Sequence, residues 1–162
     1  MNSYGYTPSD YDVLFGGLFV TIIIATIIFA IAGYIITALI YYYSAKTNGL
    51  GEIAFWSWIP VLNIYVLFAL GSTKTSLDEI KKEALMFLLI YIGLGILSIV
   101  PFIGVLASIA LIVIAVYFIY RLFFRWTGDS GTSILFVVLM FITGSIFYYI
   151  YGLIKMKKPF VA

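Results

Sequence analysis

Four stretches of this chain contain no Asp, Glu, Lys, Arg or His: residues 13–45, 53–73, 84–120 and 130–154. An α-helix crosses the hydrocarbon of a bilayer with about 20 apolar residues, so each stretch is long enough for at least one crossing. A water-soluble domain carries roughly a quarter of its residues as charges. Here the charged share is 10% and the hydrophobic share is 64% of 162 residues, too few charges to coat a globule in water. The expected fold is all-α: a polytopic integral membrane protein with four or five transmembrane helices and Pro/Gly-interrupted segments.

The lengths of the runs divide the chain further. Residues 13–45 read as one long helix that carries Tyr41, Tyr42 and Tyr43 into the interface as an aromatic belt. Residues 84–120 are too long for one span and are interrupted at Val100, Pro101 and Gly104, where a tight hairpin is expected. Helical segments follow near 13–43, 53–72, 77–99, 102–125 and 130–154. They form a single membrane domain over 13–154, between an acidic tail at 1–12 and a basic tail at 155–162. The first apolar run is far too long for a signal-peptide core and is expected to stay in the mature protein. Ser9 with Asp12, Ser76 with Glu79, and Asp129 with Ser130 carry helix-start signatures.

The helix breakers Pro60, Pro101 and Gly144 recur at similar intervals inside apolar stretches, a faint repeat. They also leave the topology with two readings. If all five segments cross, the nine basic residues divide five against four and the positive-inside rule is silent. If 53–72 turns back at Pro60 and 130–154 turns back at Gly144, all nine share one face, with the N-terminus outside. Segment length favours the first reading and charge favours the second.

Absent residue types narrow the chemistry. The chain has no Cys and no His, which removes disulfides, thiol chemistry, the commonest metal ligand and the usual general base. No catalytic residue, metal site or cofactor is expected, and a net charge of +2 offers no nucleic-acid surface. Ionisable residues within the membrane mark proton and ion pathways, and the four runs hold none.

The remaining candidates are polar or interfacial. Asn63 is placed to bond the backbone freed by Pro60 or a neighbouring helix, or to line a small pore built on Pro60, Asn63, Pro101, Gly104 and Gly144. Arg121 and Arg125 share a helix face before the turn at Thr127, Gly128 and Asp129, where a phosphate or lipid headgroup would fit, and Arg125 is also spaced to pair with Asp129. Lys155, Lys157 and Lys158 form a basic patch for anionic headgroups. Trp56, Trp58 and Trp126 join the three tyrosines as interfacial anchors.

Ile59, Pro60, Asn63, Tyr65, Leu67 and Phe68 follow the order I-P-x-x-N-x-Y-x-L-F. This segment resembles a signature of small, uncharacterised multi-pass membrane proteins of Gram-positive bacteria. A second segment at Val100 and Pro101, then Arg125, Thr127, Gly128, Gly131 and Thr132, is similar in order. The likeness extends over about residues 52–155 and departs from the family where Gly104 stands in place of a second Asn. It implies a multi-pass protein of a bacterial plasma membrane and no assigned activity. Three functions are compatible with these residues. The foremost is a non-enzymatic accessory subunit that packs against a larger membrane protein or against itself, in contact with anionic headgroups. A small channel or facilitator is the alternative, and a lipid-handling enzyme the third.

Overall fold

The computed structural model describes residues 8–162, with side chains from Val13 onward. Seven α-helices follow one another: α1 (Pro8–Thr47), α2 (Gly51–Ala54), α3 (Pro60–Gly71), α4 (Leu77–Leu97), α5 (Ile103–Thr127), α6 (Ser130–Ile142) and α7 (Ile146–Lys155). A 3-10 turn at Phe55–Trp58 joins α2 to α3. No strand occurs among the described residues. Two helices are long and apolar enough to cross a membrane, α1 over Val13–Thr47 and α5 over Ile103–Thr127. The Ser9–Asp12 signature and the acidic side chains of the N-terminal tail lie outside the residues with described side chains.

The chain divides into two compact units, Met1–Ile35 and Ile36–Ala162. The first contains the N-terminal part of α1, where Phe15, Leu18, Val20, Ile23 and Ile28 are all exposed. These positions lie all around the helix, as expected of a helix whose solvent is hydrocarbon. The second unit contains every other element.

Two of the five expected segments are not continuous helices. Residues 53–72 break at Ile59, which is extended at φ −105° and ψ 122°, and Pro60 stands at the first turn of α3. A proline there loses no helical hydrogen bond because that amide has no intrahelical partner. Pro60 therefore begins a helix instead of kinking one. Residues 130–154 break at Gly144 and Ser145, both left-handed (φ 57° and 73°). The chain reverses there: Phe136 of α6 meets Phe147 and Tyr151 of α7 at ring separations of 4.9 and 4.7 Å. Lys155, at the end of α7, donates to the Trp126 carbonyl just before α6 begins. The α6–α7 hairpin thus enters and leaves at one end of the unit.

The hairpin between α4 and α5 forms where Pro101 and Gly104 place it. Phe102 at its tip has a positive φ (64°) and is 94% exposed. Gly104 is required by space, since a Cβ there would lie 2.3 Å from the Ser98 carbonyl oxygen.

The buried core lies towards the opposite end of this hairpin. Phe68 of α3 packs on Phe118 of α5 with ring centroids 4.5 Å apart, and Phe87 and Tyr91 of α4 close around it. Phe123 holds Trp126, Phe136, Phe147, Tyr148 and Tyr151 in a second cluster. Two glycines permit close helix contacts. A Cβ on Gly71 would meet the Phe118 ring at 2.7 Å, and one on Gly152 would meet Ile40 at 2.7 Å. Such small residues are a recurrent means of bringing apolar helices together.

Glycines at the hairpin provide a test of this packing. Gly104→Ala is expected to destabilise the protein by about 1–3 kcal/mol, as overpacking does. Gly93→Ala, inside α4 where an added Cβ meets nothing within 4 Å, should be neutral or stabilise by up to about 1 kcal/mol. Unfolding of detergent-solubilised protein with denaturant distinguishes the two.

Candidate functional site

Every described charged residue lies in the connections and helix ends that gather at one end of the Ile36–Ala162 unit. The polar contacts linking these ends can be followed around the fold. Thr47 at the end of α1 donates to the Met156 carbonyl after α7, and the Phe160 amide donates to Asn48 at 2.7 Å. The Val161 amide donates to the Arg125 carbonyl at 2.8 Å, tying the C-terminal tail to α5. Lys81 of α4 forms an ion pair with Glu52 of α2.

The densest set of polar contacts surrounds the C-terminus of α3. Arg121 Nε donates to the Gly71 carbonyl at 3.1 Å, and Arg125 Nη1 donates to the Ser72 carbonyl at 3.0 Å. The last carbonyls of a helix lack intrahelical donors and carry the negative end of its dipole, so two guanidinium groups there satisfy both needs. Ser72 also donates through its hydroxyl to Glu83 of α4. The Lys74 amide in turn donates to the Ser72 hydroxyl at 3.1 Å. Arg125 lies over the Phe160 ring with its guanidinium carbon 4.5 Å from the centroid, and Arg121 lies 5.4 Å from that of Phe124.

The N-terminal side of α3 is stitched by Asn63. Its side-chain amide donates to the Ser57 carbonyl at 2.7 Å, across the break at Pro60. Asn63 is 8% exposed and Ser57 is fully buried. The expectation that Asn63 bonds the backbone opened near Pro60 describes this contact, although the open carbonyl belongs to a 3-10 turn and not to a kinked helix.

Other expected site residues fall in several places. Asp129 caps α6, accepting from the Thr132 amide at 2.6 Å. It forms no ion pair with Arg125, whose guanidinium is turned towards Ser72. Trp126 is a core residue at 1% exposure, packed on Phe123 and Tyr151, and not an interfacial anchor. Tyr41 is likewise buried, whereas Tyr42 and Tyr43 remain partly exposed beside Lys46 and Lys157. Trp56 and Trp58 are exposed, against the rings of Tyr65 and Tyr42. Lys157 and Lys158 are exposed, while Lys155 is half-buried over Tyr151. Pro101 and Gly104 share the α4–α5 turn and border one pocket there, whereas Pro60 and Gly144 stand at other turns and do not line it.

The residues that sequence reasoning missed are Gly71, Ser72, Glu83 and Gly152. Each is ordinary in its own segment and gains its role only through a helix distant in the chain. Among the described residues, no three His, Cys, Asp or Glu side chains are grouped to hold a metal ion. An apolar groove of about 460 Å³ runs between α5 and α6, lined by Val113, Val116, Tyr117, Ile134 and Val138 among others. Comparison with known proteins finds no matching family model, no matching curated protein and no matching solved structure.

Two measurements probe these contacts. Asn63→Leu leaves the buried Ser57 carbonyl without its donor and should lower stability by about 1–3 kcal/mol. Denaturant unfolding in detergent reads that loss. The Asp129 carboxylate is held below its ordinary pKa by the backbone hydrogen bond from Thr132. A depressed carboxylate contributes stability that is complete above its unfolded pKa, about 4, and is lost as pH falls through the lower folded value. Thermal unfolding should therefore drop on acidification into that range, and Asp129→Asn, which can still cap α6, should reduce that drop.

Proposed function

We propose that the chain is a non-enzymatic integral membrane protein that serves as an accessory or interaction subunit, packing against a larger membrane protein or a second copy. Of the four or five crossings expected, three are proposed to be complete: α1, α4 and α5. The segment from α2 to α3 and the α6–α7 hairpin enter and leave on the basic side. This topology places all nine Lys and Arg on one face, which the positive-inside rule makes the cytoplasmic one. The N-terminus is then outside. The motif likeness to bacterial multi-pass proteins favours a plasma membrane as the location.

The observation that carries the functional reading is the use made of Arg121, Arg125 and Asn63. These are the polar side chains best suited to bind a ligand, and all three donate to backbone carbonyls of their own fold. A channel would need polar groups facing a pathway, and a lipid-handling enzyme would need a base or nucleophile beside its anion site. Exposed apolar side chains on α1, α5, α6 and α7 instead supply ample surface for lipid and for partner helices.

The absence of native cysteine makes the topology directly testable. Single cysteines in place of Lys74, Thr127 and Lys157 should react with a membrane-impermeant thiol reagent from the cytoplasmic side. A cysteine at Phe102 should react from the opposite side. Gentle detergent extraction should recover the protein at fixed stoichiometry with another membrane protein or with itself. A stable lone monomer that fails to associate in lipid would overturn the subunit reading.

A further inference from the structure

The end of α1 and the end of α7 run side by side within the Ile36–Ala162 unit. Gly152 of α7 admits Ile40 of α1, and Thr47 donates to the Met156 carbonyl. This contact brings Lys46 to Lys157 from a distant part of the chain. Two adjoining rings, Tyr42 and Tyr43, link them with centroids 5.2 Å apart. Lys46 Nζ donates to the Tyr42 hydroxyl at 3.2 Å, and Lys157 Nζ lies 5.0 Å from the centroid of Tyr43. Lys155 is engaged elsewhere, donating to the Trp126 carbonyl. The basic patch expected at Lys155, Lys157 and Lys158 is therefore composed differently, with Lys46 in the place of Lys155.

No carboxylate balances this patch. Asp and Glu are absent from residues 13–51 and from residues 130–162. The acids that bound these stretches are engaged, Glu52 by Lys81 and Asp129 as the cap of α6. Lys46, Lys157 and Lys158 are all exposed, and the one ion pair among the described residues is that of Lys81 with Glu52. Their counter-charge comes from outside the chain. An apolar stripe leads to the same place. Ile146, Ile150 and Leu153 share one face of α7 and are 60%, 57% and 39% exposed. Lys157 follows four residues after Leu153, in a turn closed by the Lys158 amide on the Lys155 carbonyl. From Ile146 to Lys155 the helix rises about 14 Å at 1.5 Å per residue, close to the depth of one leaflet in a hydrocarbon core about 30 Å thick.

We propose that Lys46 and Lys157, with Lys158, hold the phosphate of one anionic glycerophospholipid of the basic-side leaflet, whose acyl chain lies along the α7 stripe. The inference rests on the topology given above, in which the α6–α7 hairpin enters and leaves on the basic side. Charge selects the lipid class. A phosphatidylcholine headgroup brings a cation to a site with no carboxylate, whereas phosphatidylglycerol brings only the phosphate. Basic pockets between helices on the cytoplasmic side take acidic headgroups for this reason, and each lysine near the surface adds about a fivefold preference. The tyrosines supply the geometry. Their rings hold two lysine stems from distant segments at one place, so less side-chain freedom is lost when the lipid binds. The bound phosphate then ties the C-terminal tail to the end of α1.

The test uses the full chain, delipidated in a neutral detergent, with phosphatidylglycerol and phosphatidylcholine of identical acyl chains as probes. Native mass spectrometry counts the lipid retained per chain. One phosphatidylglycerol is expected per chain, at a concentration where phosphatidylcholine is retained at about one fifth of that level or less. Equal retention of the two, the result if the patch instead takes an acidic protein segment, overturns the proposal. Lys46→Gln and Lys157→Gln should each weaken phosphatidylglycerol retention about fivefold, Lys46→Arg should preserve it, and Lys155→Gln should change it less than about twofold. Equal losses for Lys46→Gln and Lys155→Gln would also count against the site. Glycerol phosphate should not displace the lipid, and displacement at equal concentration assigns the site to free phosphate compounds and overturns the lipid. Ser145→Cys, at the tip of the α6–α7 hairpin, separates the two levels of inference. In vesicles it should resist a membrane-impermeant thiol reagent from both sides. Labelling overturns the topology itself and the acyl stripe with it, whereas no labelling with equal retention of both lipids overturns the lipid site alone.

Discussion

A helix that ends against other helices leaves its last carbonyls without intrahelical donors, and partners must come from elsewhere in the fold. The end of α3 meets this constraint through Arg121 and Arg125, which reach from α5 to the Gly71 and Ser72 carbonyls. Unsatisfied backbone groups are costly enough in apolar surroundings to decide which chain paths are viable. With the two guanidinium groups in place, α3 can stop after 12 residues without crossing the fold. Ser72 then carries the chain to α4 through Glu83, and the aromatic side chains of α3 are held against both α4 and α5. The Phe68 cluster depends on that position.

The same requirement is met locally at the other breaks. Asn63 supplies the donor for Ser57, and Thr143 supplies an acceptor for the Phe147 amide at the start of α7. Asp129 does so for α6 and Ser76 for α4. These contacts connect residues three to six apart, and such spacings can be read from a sequence. That is why the Asp129 cap, the role of Asn63 and the hairpin around Pro101 and Gly104 were legible before any fold was known. The breaks at Pro60 and Gly144 were visible too, yet the sequence left open whether the chain runs on or turns back at each. A proline beginning a helix and a proline kinking one look alike in one dimension, and only the ring contacts of Phe136 with Phe147 and Tyr151 show the chain turning back.

Burial was the least legible property. In a chain that is 64% hydrophobic and carries four long uncharged runs, hydrophobicity does not separate side chains facing protein from those facing hydrocarbon. Trp126 and Tyr41 carry the usual composition of an interfacial belt, and both are buried. Their neighbours Tyr42 and Tyr43 in the chain are only half-covered. The distinction comes from helices brought together over long separations, such as the close approach of Gly152 to Ile40. The arginines were misleading for the related reason that their partners are carbonyls, which every residue possesses and no motif advertises.

The distribution of order along the fold bears on what such a chain can do. Its charged and hydrogen-bonding groups are concentrated at one end and engaged largely with one another or with backbone. Rearranging them for catalysis would expose helix ends that have no other donor. Among the described residues of the Ile36–Ala162 unit, the opposite end bears no charged group, and its apolar side chains are suited to hydrocarbon or to another helix. A polar end tied by its own contacts and an apolar end without charge are what the proposed subunit reading rests on, with lipid and partner helices as the variable part.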